Sequence, residues 1–148
     1  MIPTGTISEI LNHKGATVWT IAPDATVFEA IQLMADKNVG ALLVTENEKL
    51  FGVLSERDYT RKIALKGKSS KDTKVREILS DRVTHVTPNH SIEDCMRLMT
   101  DQRIRHLPVL EGDKIKGVVS IGDLVNWIIS AQTTTIRQLE SYIKGYPE

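Results

Sequence analysis

The sequence predicts a mixed α/β (α+β) fold: two β-α-β-β-α repeats packed sheet to sheet about a pseudo-twofold axis, plus a C-terminal helix. Three observations carry that prediction. A shift of 65 residues, Pro23 onto Pro88, superposes residues 18–58 on 83–123 without a gap and makes thirteen positions identical. Internal self-similarity at a fixed offset is the mark of a duplicated structural unit. Within each copy the hydrophobic pattern changes from strand to helix spacing and back. Each copy alone, at about 60 residues, is marginal, whereas the full 148 residues bury a core without disulfide or metal.

The elements follow in order. Thr6 and Glu9 begin a short leading helix that ends near Gly15. VWTI (18–21) and VTHV (83–86) read as short strands, closed by Ala22-Pro23 and Thr87-Pro88, since proline holds its predecessor extended. Thr26 with Glu29, and Ser91 with Asp94, have capping-box spacing. The helices they start carry the apolar stripes Val27, Ala30, Ile31, Met34 and Ile92, Cys95, Met96, Met99. ALLVT (41–45) and HLPVL (106–110) are the next strands, turning at Glu46–Glu48 and Glu111–Asp113 into LFGVLS (50–55) and IKGVVS (115–120). A second helix follows each, over about 56–66 and 121–131.

The expected organisation is one module: repeat 1 with its leading helix over 6–66, a Gly/Ser/Lys linker over 67–74, repeat 2 over 75–131 and a tail over 132–148. A short helix around Val75–Leu79 mirrors the leading helix. In the tail, Ile136, Leu139 and Ile143 recur at helical spacing, as in an extra amphipathic helix from Thr133 to Tyr146 that docks on the module or on a second subunit. The two repeats are expected to share one core and to leave a cleft between them.

Composition narrows the function. Nineteen basic against nineteen acidic residues argue against a polyanion binder or a polybasic membrane-surface protein. The run from Arg61 to Arg76, with seven basic residues and one acid, reads better as a solvated linker face than as a nucleic-acid site. The lone Cys95 fits a reducing compartment. No apolar run reaches a membrane span and MIPTGTISEILNHKG lacks signal-peptide features, so a cytoplasmic location is expected. His13, His85, His90 and His106 lack metal-ligand spacing, and no phosphate-binding glycine loop of the common kinds occurs. Trp19 and Trp127 read as core or interface residues, although Trp19 also lies on a strand beside the cleft.

The repeated segment Gly52-Val53-Leu54-Ser55-Glu56-Arg57-Asp58 and Gly117-Val118-Val119-Ser120-Ile121-Gly122-Asp123 carries the chemistry. Ser-x-x-Asp after a strand is a helix cap: the serine oxygen takes an orphan N–H and the acid reaches back. The same geometry suits a ligand, because a helix start offers N–H groups and positive potential to phosphate, and a carboxylate accepts both hydroxyls of a ribose. Glycine before the serine permits close approach of another group to the backbone.

On this motif, its duplication and the β-α-β-β-α order, the chain resembles a tandem pair of CBS domains, the regulatory modules named after cystathionine β-synthase. The likeness covers about residues 6–131. SERDYTRKI (55–63), RIRHLPV (103–109) and VSIGD (119–123) are similar to a stand-alone group within the family. The resemblance implies binding of adenosine-containing ligands (AMP, ADP, ATP, NAD(H) or S-adenosylmethionine) in two clefts, with no metal required. One cleft would use Asp123 on the ribose and Ser120 near the phosphate, with Thr17, Val18, Trp19, Thr20, Val39, Gly40 and Ala41 around the adenine. Its counterpart would use Ser55 and Asp58 with Val83, Thr84, His85, Ile104, Arg105 and His106. The second is the more cationic: Arg105 and His106 replace Gly40 and Ala41, and Arg57 replaces Gly122, with Arg61 and Lys62 a turn further on. One mononucleotide site and one site for AMP or NAD(H) are therefore expected.

No catalytic residue is expected, since neither serine has an evident histidine partner. The implied role is a homodimeric nucleotide sensor that signals to a separate effector by population shift. Ile31, Met34, Met96 and Met99 together with the C-terminal helix are candidate dimer surface. The rival functions are a nucleotide hydrolase or transferase working in the cleft, and a nucleic-acid adaptor.

Overall fold

The computed structural model describes residues 5–79 and 83–144. The order is α1 (Ile7–Lys14), β1 (Thr20–Ile21), α2 (Val27–Lys37), β2 (Ala41–Glu46), β3 (Lys49–Ser55), α3 (Glu56–Tyr59) running into a π-helical turn (Thr60–Ala64), a 3-10 helix (Val75–Ile78), α4 (Ile92–Gln102), β4 (His106–Glu111), β5 (Lys114–Ser120) and α5 (Ile121–Lys144). One sheet has the order β1-β2-β3 and the other is the β4-β5 hairpin, with β3 and β5 in contact. The duplication extends to irregularities: both hairpins slip register at one equivalent place, between Val44 and Thr45 and between Val109 and Leu110.

The opening strand of each copy is shorter than VWTI and VTHV suggested. In the first copy Leu43 N–H donates to the Trp19 carbonyl and β1 lies parallel to β2. The equivalent of Leu43 is Pro108, which has no N–H to give, so the second copy keeps only a bridge from Val86 to Val109.

The buried residues form two clusters rather than one shared core, and each is completed by a segment from the other copy. Ile7, Ile10 and Leu11 of α1 pack with Val86, Ile92, Cys95 and Leu107, whereas Val75 and Ile78 pack with Val27, Ala30, Leu42 and Leu54. The backbone anchors are matched. Ile7 and Ser8 donate to the carbonyls of His90 and Pro88, and Val75 and Arg76 donate to those of Ala25 and Pro23. The leading helix thus docks on repeat 2, and the segment after the linker docks on repeat 1.

That exchange explains the glycine of the repeated motif. A Cβ on Gly117 would lie 2.8 Å from Leu11 Cδ2, and one on Gly52 would lie 3.1 Å from Leu79 Cδ1. The group that approaches closely is a leucine of the exchanged segment.

Thr26 and Ser91 cap α2 and α4 by accepting from the N–H of Glu29 and Asp94. Both helices end on a left-handed residue, Asn38 and its equivalent Arg103. The expected helix over 56–66 is regular only to Tyr59 and then widens, Leu65 N–H reaching back to the Thr60 carbonyl. The two expected C-terminal helices are one, because 131–135 contains no glycine or proline to stop α5. Tyr146 lies outside the described residues. Met34 and Met99 are buried core, so the dimer surface expected there is reduced to the half-buried Ile31 and Met96.

Candidate functional site

Each copy brings the end of its second hairpin strand back beside the start of its first. Glu56 N–H donates to the Gly40 carbonyl, and at the equivalent place Ile121 N–H donates to that of Arg105. Both Ser-x-x-Asp helix starts are thereby held against the junction between the copies. Ser55 forms a full capping box with Asp58: Asp58 N–H donates to Ser55 Oγ, while Ser55 N–H and Oγ both donate to Asp58 Oδ2. Ser120 N–H donates to Asp123 Oδ2 at 2.8 Å, and Asp123 N–H donates to Ser120 Oγ at 3.1 Å. Capping geometry is therefore present at both motifs, and it leaves carboxylate acceptor positions facing the two cavities described next.

The larger cavity, about 620 Å³, is walled by both copies. It holds Ser55, Arg57, Asp58, Val83, Thr84, Ile104, Arg105 and His106 as the sequence grouped them; His85 does not line it. Val83 and Thr84 both face the cavity, the Thr84 hydroxyl hydrogen-bonded to Gln102, whereas His85 is exposed. The wall also includes Gly40, Val53, Glu56, Arg61, Lys62, Gln102 and Arg103. Among the described residues five Arg and Lys side chains thus line one space with two carboxylates.

The smaller cavity, about 300 Å³, brings Thr17, Trp19, Val39, Gly40 and Ala41 of the first copy to Ser120 and Asp123 of the second. Val18 and Thr20 do not line it, by alternation along extended chain. Trp19 is partly exposed on this wall, with Lys37 Nζ 4.4 Å from its ring centroid, so it is not a core residue. Asn38, Leu42, Leu43, Val118, His106 and Lys14 complete the wall. Gly40 and His106 border both cavities and form the partition between them.

Lys14, from the end of α1, was not singled out by the sequence. Its Nζ donates to Asp123 Oδ2 at 2.7 Å and to the Val118 carbonyl at 3.0 Å. Nothing local signals a pair that spans 109 positions and forms only because α1 docks on repeat 2. Burial raises the Asp123 pKa, but the hydrogen bonds from Lys14 and Ser120 and the Lys14 charge together hold it below the ordinary value. At the partition, burial lowers the His106 pKa, Arg105 and Lys14 act in the same direction, and Asp123 and Glu56 oppose them. Cys95 is buried, its thiol pushed up to about 11 by burial and by Asp94. Among the described residues no cluster of three metal-ligating side chains occurs, and no helix is long and apolar enough to cross a membrane.

The likeness to known proteins follows the same two units. The family described as "CBS domain" matches residues 7–65 and 75–130. A mitochondrial CBS domain-containing protein of Arabidopsis thaliana, CBSX3, is 40% identical over 95% of this chain and 72% of its own. The crystal structure of the CBS domain protein NE2398 is 50% identical, with a TM-score of 0.82, over 86% of this chain and 99% of that one. A more distant structure shares the fold at 19% identity and a TM-score of 0.73, over 84% of this chain and 96% of its own: the CBS domain pair of MJ0100, solved with 5′-methylthioadenosine and S-adenosyl-L-methionine. Two family matches on two exchanged, pseudo-symmetric units make this chain a member of the CBS domain family, carrying the domain as a tandem pair.

Proposed function

We propose that the chain is a regulatory module that binds adenosine-containing ligands in its two inter-repeat clefts and passes their occupancy to a partner protein. The observation that carries this is the placement of Ser55/Asp58 and Ser120/Asp123 at helix starts in cavities whose walls come from both repeats. A ligand spanning such a cavity favours one packing of the repeats over another, which is how binding becomes a signal. The adenosine ligands in the MJ0100 structure support the ligand class.

The cavities suggest a division of labour. The larger, with Arg57, Arg61, Lys62, Arg103 and Arg105, suits a polyphosphate or dinucleotide such as ATP or NAD(H). The smaller suits a mononucleotide such as AMP, with adenine between Trp19 and the Val39–Ala41 edge. We read the module as non-catalytic, both serine hydroxyls being engaged in their own helix turns. Its reduced, buried thiol suits a cytoplasmic location; the mitochondrial plant relative offers the competing one, and cell fractionation distinguishes them.

We also propose a homodimer. Along α5 the exposed Val125, Ile129, Gln132, Ile136, Leu139 and Ile143 recur at alternating spacings of four and three. That is a coiled-coil seam, and β-branched residues at one seam position with leucine at the other favour a parallel pair of identical helices.

Titration calorimetry with AMP, ATP and NAD(H) tests the binding. Saturable binding that weakens in Asp58→Asn or Asp123→Asn supports the reading, and no binding at millimolar ligand overturns it. Turnover of ATP or NAD would favour the hydrolase reading, and salt-dependent binding of RNA or DNA the adaptor reading.

A further inference from the structure

We infer that Lys14 determines the specificity of the smaller cleft, selecting ligands that carry an anionic group and rejecting neutral nucleosides. The inference rests on the nucleotide-binding reading above and adds to it a residue and a selection rule. Asp123 Oδ2 already accepts from Ser120 N–H and from Lys14 Nζ, so its acceptor capacity is filled. A ribose diol that places one hydroxyl on each carboxylate oxygen competes with Lys14 for Oδ2. A ligand held in that way moves Lys14 off Oδ2.

The consequence depends on what the ligand offers in return. Asp123 and Lys14 are both partly shielded, their side chains 24% and 31% exposed, so the ammonium exchanges a close ionic partner for a cleft with few alternatives. A neutral nucleoside supplies no anion and leaves that ammonium only the Val118 carbonyl and solvent. A phosphate or other anionic group supplies one within reach, since Lys14, Ser120 and Asp123 line the same 300 Å³ space. Among the described residues Lys14 is the one Lys or Arg on that wall.

The larger cleft is built otherwise. Asp58 Oδ2 is satisfied by Ser55, and Lys62 Nζ stands 3.7 Å from Oδ1 while donating to the Ile78 carbonyl. Among the described residues Arg61, Arg103 and Arg105 there face an anion independently of that aspartate, as does Arg57, one nitrogen of which donates to the Arg103 carbonyl. Lys14 lines the smaller cleft and not the larger.

Calorimetric titration of AMP and adenosine into the full chain tests this, with the component lost in Asp123→Asn assigned to the smaller cleft. Lys14→Met keeps the aliphatic stem and removes the charge. It is expected to strengthen adenosine binding and weaken AMP binding, narrowing the AMP-to-adenosine affinity ratio by about tenfold. Lys14→Gln, with a neutral donor, is the second variant and should shift the ratio in the same direction. A ratio unchanged in both folded variants, as judged by thermal melting, overturns the role of Lys14 and leaves nucleotide binding standing. Absence of either ligand from wild type at millimolar concentration overturns the nucleotide reading itself, and this one with it.

Discussion

Arg57 Nη1 donates a hydrogen bond to the backbone carbonyl of Arg103 at 3.2 Å, tying the helix start of the first repeat to the end of α4 in the second. The acceptor residue is itself in an unfavourable conformation: Arg103 has φ 55°, left-handed, at the C-cap of α4. Its counterpart Asn38 has the same φ at the C-cap of α2, where asparagine tolerates it well. Strain of this kind is commonly found where a side chain serves a site, and Arg103 lines the basic cleft. Arg103→Asn is therefore expected to stabilise the fold by about 1 kcal/mol, read as a raised urea midpoint. The same change should weaken ATP or NAD(H) binding in the larger cleft. A lowered midpoint would show that the arginine side chain outweighs its backbone strain.

Gly117 should not tolerate a side chain, for a reason unrelated to ligand. Its missing Cβ makes room for Leu11, a nearly buried member of the core cluster beneath β5. Gly117→Ala is expected to cost about 1–3 kcal/mol through overpacking. Gly52→Ala, with 3.1 Å to Leu79 instead of 2.8 Å, should cost less. The decisive measurement is a double-mutant cycle: Leu11→Ala should recover part of the Gly117→Ala loss, whereas strict additivity would remove the packing explanation.

His106 makes stability depend on pH in a known direction. Burial holds its folded pKa below the ordinary 6.5, so between the two values the unfolded chain binds the proton and the folded chain does not. Its contribution is present above about pH 6.5 and is lost as pH falls through the folded pKa. The chemical-denaturation midpoint should thus drop from pH 7.5 to pH 5.5, and His106→Gln should flatten that slope. Asp123 acts in a lower window. Its depressed pKa gives stability that is present above about pH 4 and lost as pH falls through the folded value. An unchanged slope in His106→Gln would assign the pH dependence to another group.

The parts legible in the sequence were those fixed by local rules. Capping at Thr26, Ser55, Ser91 and Ser120 follows from spacing alone, and the opening strand of the first copy was placed at the smaller cleft, although of its four named residues only Thr17 and Trp19 line it. What escaped depends on how distant segments meet. The docking of α1 on repeat 2 rather than on its own neighbour leaves no periodic trace, and with it went Lys14 and the reason for Gly117. Pro108 was visible, but that it would shorten the neighbouring strand required knowing that its backbone nitrogen, which carries no hydrogen, faces that strand. Arg103 could have been found by comparing repeats: its equivalent is an asparagine at a helix end, a residue type that signals left-handed backbone.

The seam along α5 gives the last prediction. Val125, Ile129, Ile136, Leu139 and Ile143 are all exposed, with Ile143 at 81%, although they lie on a helix continuous with one that packs against α1 and α4. The folded module anchors the first turns of this 24-residue helix and so removes the cost of nucleating the rest of it. Pairing of two such helices in parallel would bury the isoleucines against their own copies, with Gln132 as the polar interruption that fixes register. Analytical ultracentrifugation should find a dimer in wild type that Ile136→Lys or Leu139→Lys weakens by tenfold or more, since each change places like charges across the seam. Gln132→Leu, which replaces the polar seam residue with leucine, should strengthen association. A monomeric wild type, or a dimer indifferent to both lysine substitutions, would mean that this face of α5 is not where two copies meet.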